Sequence, residues 1–138
     1  MSEARIENVA YFGIHGFECD VRMIATVLQI DGYRGLSKGD LKPYRKNVIC
    51  KEGLWEIKSP LEQHRDIEEH VNWILNLLLP KLDKLRMIYQ QHDASSELSI
   101  SISNYYLVNS GLHLDKELVE KVNKLGASID IDIHNFVD

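Results

Sequence analysis

The sequence predicts an α+β fold, a single domain over residues 1–138 in which helices cover a mostly antiparallel sheet. Segments with alternating apolar residues and segments with helical spacing follow one another in the order β-α-β-β-α-β-α-β. The first six of these elements have the split β-α-β order of ferredoxin-like sandwiches, and the last helix and strand would extend the sheet. A chain of 138 residues, 44% of them hydrophobic, is large enough to form one such core.

The first two predicted elements are a strand and a short helix. Arg5–Phe17 alternates between two faces. One of these faces carries Ile6, Ala10, Phe12 and Ile14. Cys19–Ile30 then changes to helical spacing, and Asp20 is in a position to cap the helix. The residues that we expect to point inward from this helix are Met23, Ile24, Val27 and Leu28.

The middle of the chain predicts a loop followed by a hairpin. Tyr33–Lys46 contains two glycines and a proline, which are typical of loops. Two short strands, Lys46–Cys50 and Leu54–Lys58, are expected to pair through a tight turn. Trp55 alternates with charged residues in the second strand, so we expect its indole ring in the core.

The longest apolar stripe, Ser59–His92, predicts the main helix of the fold. Ser59 and Glu62 have the spacing of a capping box, and Pro60 falls at the first helical position. A proline inside a continuous helix would clash with the preceding turn, so we expect a break at Leu79–Pro80. The helix beyond the break would carry inward Leu82, Leu85, Ile88 and Tyr89.

The C-terminal third predicts a strand, a helix and a final strand. The segment ELSISISNYYLV alternates strictly, with Leu98, Ile100 and Ile102 inward. A turn at Asn109–His113 precedes the helix Asp115–Leu125, which Gly126 should end. Its expected inward residues are Leu118, Val119, Val122 and Leu125. Ser128–Phe136 alternates again, with the expected inward residues Ile129, Ile131 and Ile133.

The charge is unevenly distributed along the chain. The net charge is −5, but residues 34–51 carry six basic residues and one acid, so the rest of the chain is strongly acidic. An acidic body favours a cationic partner and argues against nonspecific binding of nucleic acid. The basic segment could instead bind an anion. The residues that we select for an anion site are Arg34, Lys38, Arg45 and Lys46.

Cysteine usage and hydropathy indicate a reduced, cytoplasmic protein. Cys19 and Cys50 are isolated and lack metal or redox spacing, so we expect no disulfide between them. We find no signal peptide and no apolar run of membrane length, and therefore expect no membrane partner.

A group of acids and histidines falls on the predicted main helix. His64 and Glu68 are four residues apart, as are Asp66 and His70, and such pairs can hold a metal. The HExxH spacing is absent, however, and a charged first helical turn is expected from the helix dipole. We therefore interpret the group as a solvated face and predict no metal or other cofactor.

Asp130 and Asp132 form the sharper pair, because alternate residues of a strand lie on one face about 7 Å apart, with His134 next in the row. The row could be a solvated strand face, dock a basic partner or catalyse a hydrolysis. No nucleophile is tied to it by sequence, and the common nucleotide-binding, esterase and zinc motifs are absent. The sequence therefore predicts a protein that is not an enzyme.

Several groups of residues together resemble a known family. They are Phe12 and Ile14, Lys38-Gly39-Asp40, Trp55 with Ser59, Ile67-Glu68-Glu69-His70 with Leu77-Leu78, and Leu118 and Leu125-Gly126-Ala127 before Ile129-Asp130-Ile131-Asp132. These residues resemble the bacterial domain-of-unknown-function family 4279, from Asn8 to His134. The family tends to have a proline shortly after its first helix, whereas this chain has Asp31-Gly32-Tyr33.

The resemblance implies a small, cytoplasmic and often stand-alone bacterial protein, and it brings no catalytic residues. Small stand-alone bacterial domains include immunity proteins, which neutralise a toxin delivered by a neighbouring cell. The acidic body would suit a basic nuclease toxin. We therefore expect a cognate toxin as the protein partner. The expected contact residues are Asp130, Asp132, Glu68 and Glu69, with Tyr105, Tyr106 and Tyr33 as aromatic anchors.

Overall fold

The computed structural model describes residues 3–106 and 111–137, and within them five strands form one sheet. In chain order they are β1 (Arg5–His15), β2 (Arg34–Leu36), β3 (Leu54–Lys58), β4 (Ser95–Tyr105) and β5 (Ala127–Phe136). Their order across the sheet is β2-β3-β1-β4-β5. All neighbours are antiparallel except β4 and β5, which are parallel. The first four strands have the ferredoxin-like order, so the predicted α+β class is confirmed, and β5 extends the sheet.

The helices are α1 (Val21–Leu28), α2 (Ile67–Leu78), α3 (Leu82–His92) and α4 (Lys116–Leu125). A 3₁₀ turn at Leu79–Lys81 joins α2 to α3, with Pro80 in its first turn. The predicted break is therefore confirmed at this proline, which has no N–H to continue the α-helical ladder. None of the helices in the described part of the chain is long and apolar enough to cross a membrane.

The core lies between these helices and one face of the sheet. Phe12 of β1 is paired with Ile57 of β3 on one side and with Leu98 of β4 on the other, and all three side chains are buried. Trp55, predicted as a core residue, is fully buried and stacks on Tyr33, with 6.1 Å between the ring centroids. Cys19 is partly buried and Cys50 is buried, and both are free thiols.

The predicted hairpin partner of β3 is wrong. Lys46–Cys50 forms only an isolated bridge between Ile49 and Leu41, because Asn47 has a left-handed backbone (φ 63°) that interrupts extension. The segment Arg34–Leu36, predicted as loop, pairs with β3 instead. Gly35 permits this pairing, since an added Cβ would lie 2.6 Å from a methyl group of Val21 on α1.

The predicted start of the main helix is also wrong, because α2 begins at Ile67 rather than at Pro60. The Ser59 amide donates to the Ala10 carbonyl at 2.9 Å, and the Asn8 amide donates to the Gln63 carbonyl at 2.7 Å. Residues 59–66 thus follow β1 beyond the point where β3 stops pairing with it. Those strand-like hydrogen bonds take the place of the capping box.

His70 lies in the core and not on a solvated face. Its Nε2–H donates to the Glu62 carbonyl at 3.1 Å, because a carbonyl can only accept. Its Nδ1 therefore accepts from the Ser59 hydroxyl, which is also buried. Burial lowers the pKa of His70. The neutral imidazole thus joins the loop 59–66 to α2.

Two helical residues predicted to point inward are exposed. Met23 of α1 is exposed because the helix turns only Val21, Ile24 and Leu28 toward the core. Val119 of α4 is exposed for the same reason. Asp20 is confirmed as the cap of α1 and Gly126 as the end of α4, but α1 is shorter than the predicted Cys19–Ile30.

We predict that Ser59→Ala lowers the free energy of unfolding by about 1–3 kcal/mol, because it leaves a buried imidazole nitrogen without a donor. Urea denaturation measures the change. The control is Ser95→Ala at an exposed serine, which should change stability by less than about 0.5 kcal/mol. Equal effects of the two substitutions would contradict a stabilising, buried hydrogen bond between Ser59 and His70.

We also predict that His70 makes stability sensitive to acid. Its pKa is lower in the folded chain, so the unfolded chain binds the proton more readily. Its contribution is complete above about pH 6.5 and is lost as the pH falls toward the folded-state pKa. Denaturation between about pH 7.5 and about pH 5 should show a smaller decline in His70→Gln than in the unchanged protein. His64→Gln, at an exposed histidine, should leave the decline as it is.

Candidate partner-binding surface

The face of the sheet opposite the helices carries the predicted acidic row. The parallel register places Asp130 beside Ser99, Asp132 beside Ser101 and His134 beside Ser103. The three β5 side chains are exposed. Neither carboxylate makes a hydrogen bond or an ion pair with any residue in 3–106 or 111–137. The two charges therefore remain available to a partner. We call this side of the sheet, between Asp130 and Phe136, the open face.

One end of the open face carries an aromatic cluster. Tyr105 and Phe136 stack with 4.7 Å between ring centroids, and the Arg5 guanidinium lies 3.9 Å from the Tyr105 centroid. The Tyr105 hydroxyl donates to Glu7 at 3.2 Å. Tyr106 has a left-handed backbone (φ 58°), and its amide donates to the Phe136 carbonyl. These contacts fix flat, partly exposed rings beside the acidic row.

Sequence reasoning missed Phe136 and Arg5 as parts of this surface. The available signal was strand alternation, since Phe136 falls two residues after His134 and so shares its face. Arg5 reaches the cluster only through its pairing with Tyr105, which joins distant parts of the chain. The predicted strand ELSISISNYYLV is confirmed through Tyr105, and its last residues, Leu107 and Val108, lie outside the described residues, as does part of the predicted turn Asn109–His113.

The structure does not bring the other predicted contact residues to the open face. Glu68 and Glu69 lie in the first turn of α2, in the helical layer on the other side of the sheet. Arg65 binds Glu69 through two hydrogen bonds of 2.8 and 3.0 Å and lowers the pKa of that carboxyl. Tyr33 is partly buried against Trp55. The expected contact set is thus divided between two sides of the molecule.

The helix-facing side of β5 is not buried as predicted. Ile129, Ile131 and Ile133 are 37%, 40% and 49% exposed. Their neighbours in β4, Leu98, Ile100 and Ile102, are at most 1% exposed. The alternation was predicted correctly. However, β5 is the edge strand, and α4 leaves its helix-facing side partly exposed. The result is an apolar row beside the acidic one.

The basic segment forms a separate groove of about 760 Å³. Arg34 and Arg45, selected from the sequence, line it together with Lys42 and Lys51, which were not selected. The exposed ring of Tyr44 also lines the groove. Lys46 does not line the groove, and Lys38 instead forms an ion pair of 3.0 Å with Glu18.

The acidic row is not joined to a neighbouring serine by hydrogen bonds in the described part of the chain. Ser103 lies beside His134 and Asp132 is two residues away, yet no hydrogen bond joins the three in the described structure. Among residues 3–106 and 111–137, no three His, Cys, Asp or Glu side chains are grouped so that they could hold a metal. His64, interpreted from the sequence as part of a solvated face, is exposed and pairs with Glu62 at 3.2 Å.

Comparison with known proteins identifies the family. The family described as "Domain of unknown function (DUF4279)" matches residues 4–136. The chain belongs to this family. The match covers all five strands of this DUF4279 domain and all four described helices, so the surfaces above are built from family elements. No curated protein and no solved structure matches the chain.

We predict that the two neighbouring isoleucines differ in their contribution to stability. Ile100→Ala should lower the free energy of unfolding by about 2–5 kcal/mol, because it opens a cavity in the core. Ile131→Ala should lower it by less than about 1.5 kcal/mol, because the side chain is already partly in water. Urea denaturation of both variants measures the difference. Similar losses would mean that the β5 row is covered in solution.

Proposed function

We propose that this DUF4279 protein is a non-catalytic immunity protein of the bacterial cytoplasm that binds and neutralises a cognate toxin by covering its active site. The observation that carries the proposal is the open face, a sheet surface on which Asp130 and Asp132 have no hydrogen-bond or ion-pair partner among the described residues. An exposed row of strand side chains favours a macromolecule over a small substrate, which binds in a concave pocket.

The charge of the chain supports a basic partner. Outside residues 34–51 the acids strongly outnumber the basic residues, and two unpaired carboxylates are presented together on the open face. Opposite charges accelerate the encounter of two proteins and select among competing partners. Toxins that act on nucleic acid must bind phosphates and are therefore commonly basic at their active sites. A nuclease toxin accordingly suits this surface.

The aromatic cluster supports a tight contact. Aromatic and arginine side chains dominate the binding energy of protein interfaces. Tyr105 and Phe136 are held by stacking before any partner arrives, so their ordering upon binding would cost little entropy. The proposal therefore places the anchors at one end of the open face and the steering charges along β5.

The test is rescue of cells that express the candidate toxins encoded in the same strain. We predict that the unchanged protein restores growth with its cognate toxin, and that Asp130→Lys combined with Asp132→Lys slows association at low salt by about tenfold or more. The matched control is Asp31→Lys combined with Asp83→Lys, which makes the same charge change at exposed positions away from β5. Both variants should fold.

Three results would count against the proposal. The first is the absence of rescue with every candidate toxin. The second is equal slowing by both double variants, which would indicate a general charge effect and no specific surface. The third is rescue that is unaffected by reversing Asp130 and Asp132, which would place the partner elsewhere.

A second candidate function is supported by the basic groove. Four basic side chains converge on it, so the protein could be a regulatory module that binds a small anion, with Tyr44 beside the ligand. The four basic side chains are exposed, and the described residues that line the groove leave it open to solvent. We therefore rank this function below the first.

Thermal shift with nucleotides, sugar phosphates and short RNA tests the second function. A ligand at a hundred times its dissociation constant should stabilise the fold by about 2.7 kcal/mol. Arg34→Gln combined with Arg45→Gln should abolish the shift. The control pair, Lys38→Gln with Lys46→Gln, should keep it, since neither residue lines the groove. A flat response, or equal loss in both pairs, would exclude the groove as the site.

A further inference from the structure

The outer edge of β5 is open along its whole length. Ten residue pairs join the strand to β4, and no strand of the described structure pairs with its other side. Natural sheets protect such edges with proline, charged side chains, a bulge or a very short strand. β5 contains neither proline nor lysine, its register runs without a bulge, and its only charged side chains are those of Asp130 and Asp132. The opposite edge strand, β2, has only three residues.

An apolar flank lies beside this edge. The isoleucine row of β5 is partly exposed, and Val119 of α4 is 45% exposed. Crossovers between parallel neighbouring strands are almost always right-handed. Leu118 of α4 faces the sheet. With a right-handed crossover, the next residue, Val119, lies on the side of α4 that faces away from β4 and toward the outer edge of β5. Val119 therefore extends the apolar row, and a strand added at the edge would bury both.

The open face gives the same edge a negative charge. A residue on an added strand lies about 4.5–5.5 Å from the residue directly opposite it. Asp130 and Asp132 would each face such a residue, and neither is neutralised by the described part of the chain. Lysine or arginine at alternate positions of the added strand would complement them, with apolar residues between facing the isoleucine row.

In the registers centred on residues 131 and 132, a second copy of this chain does not provide that complement. Antiparallel pairing of two copies centred on residue 131 sets the Asp130 of each opposite the Asp132 of the other. Pairing centred on residue 132 sets the two Asp132 carboxylates together. Like charges directly opposite each other destabilise a sheet. The acids therefore disfavour self-pairing in these registers and favour a basic strand.

We propose that the protein partner docks by adding a strand to the outer edge of β5, and that this strand alternates basic with β-branched apolar side chains. The inference rests on the proposed function, because it supplies the way in which a basic toxin would bind. Main-chain hydrogen bonds give affinity in this mode, and the alternating side chains give specificity.

The first test uses a synthetic peptide of about nine residues, a common strand length, in which lysine alternates with valine or isoleucine. Titration of the full chain is followed by amide chemical shifts and by hydrogen exchange. The outward-facing amides of β5 should gain protection. Three controls have the same length: a scrambled peptide, a peptide with glutamate for lysine, and a peptide N-methylated at alternate residues. Each control should bind at least about tenfold more weakly.

Charge reversal then tests the pairing itself. Asp130→Lys combined with Asp132→Lys should invert the preference toward the glutamate peptide, while the Asp31→Lys and Asp83→Lys control should keep it. Binding that ignores N-methylation, or shifts confined to the basic groove, would overturn strand addition. Self-association of the chain with protection of β5 would overturn it in favour of a second copy.

The two proposals fail in distinguishable ways. A toxin that is neutralised without protection of the β5 amides would leave the immunity function and remove strand addition. Protection of β5 by the lysine peptide, together with no rescue from any candidate toxin, would leave strand addition and remove the immunity function.

Discussion

The burial of the helix-facing side of β1 is the constraint on which the rest of the structure depends. Ala10, Phe12 and Ile14 are fully buried, and β1 is paired along both of its edges. One edge holds β3 and then the loop that carries Ser59, and the other holds β4. The described helices pack on the side of the sheet that carries these three residues, so they leave the other side uncovered. The open face is a consequence of how the core is closed.

The elements that the sequence predicted best are those whose apolar period agrees with their final burial. β4 is the clearest case, because its alternation extends through Ile102 and every inward residue is buried. Prediction failed where tertiary contacts replaced a local signal. Ser59 has the spacing of a helix cap, yet its amide and hydroxyl serve β1 and His70. Alternation in β5 likewise could not reveal an edge, since a strand's period does not depend on the number of its neighbours.

Two surfaces of opposite sign lie at separate places on this one sheet. The acidic row is on β5 at one edge, and the basic groove borders β2 and β3 at the other. Only part of this arrangement could be predicted from the residues. The clustering of basic residues in one segment was visible, but Lys51 joins the groove and Lys46 does not, because the loop folds back through the Leu41–Ile49 bridge. An irregular loop has no sequence periodicity from which the directions of its side chains could be predicted.

The pairing of β1 with β4 also bears on how the protein is made. Arg5 pairs with Tyr105, so β1 must wait until the residues between them have been synthesised before this partner exists. At a synthesis rate of about 5–20 residues per second, that wait lasts roughly five to twenty seconds. During this time Phe12 lacks Leu98, its neighbour in β4. The nascent chain is therefore a natural client for chaperones that bind short apolar segments.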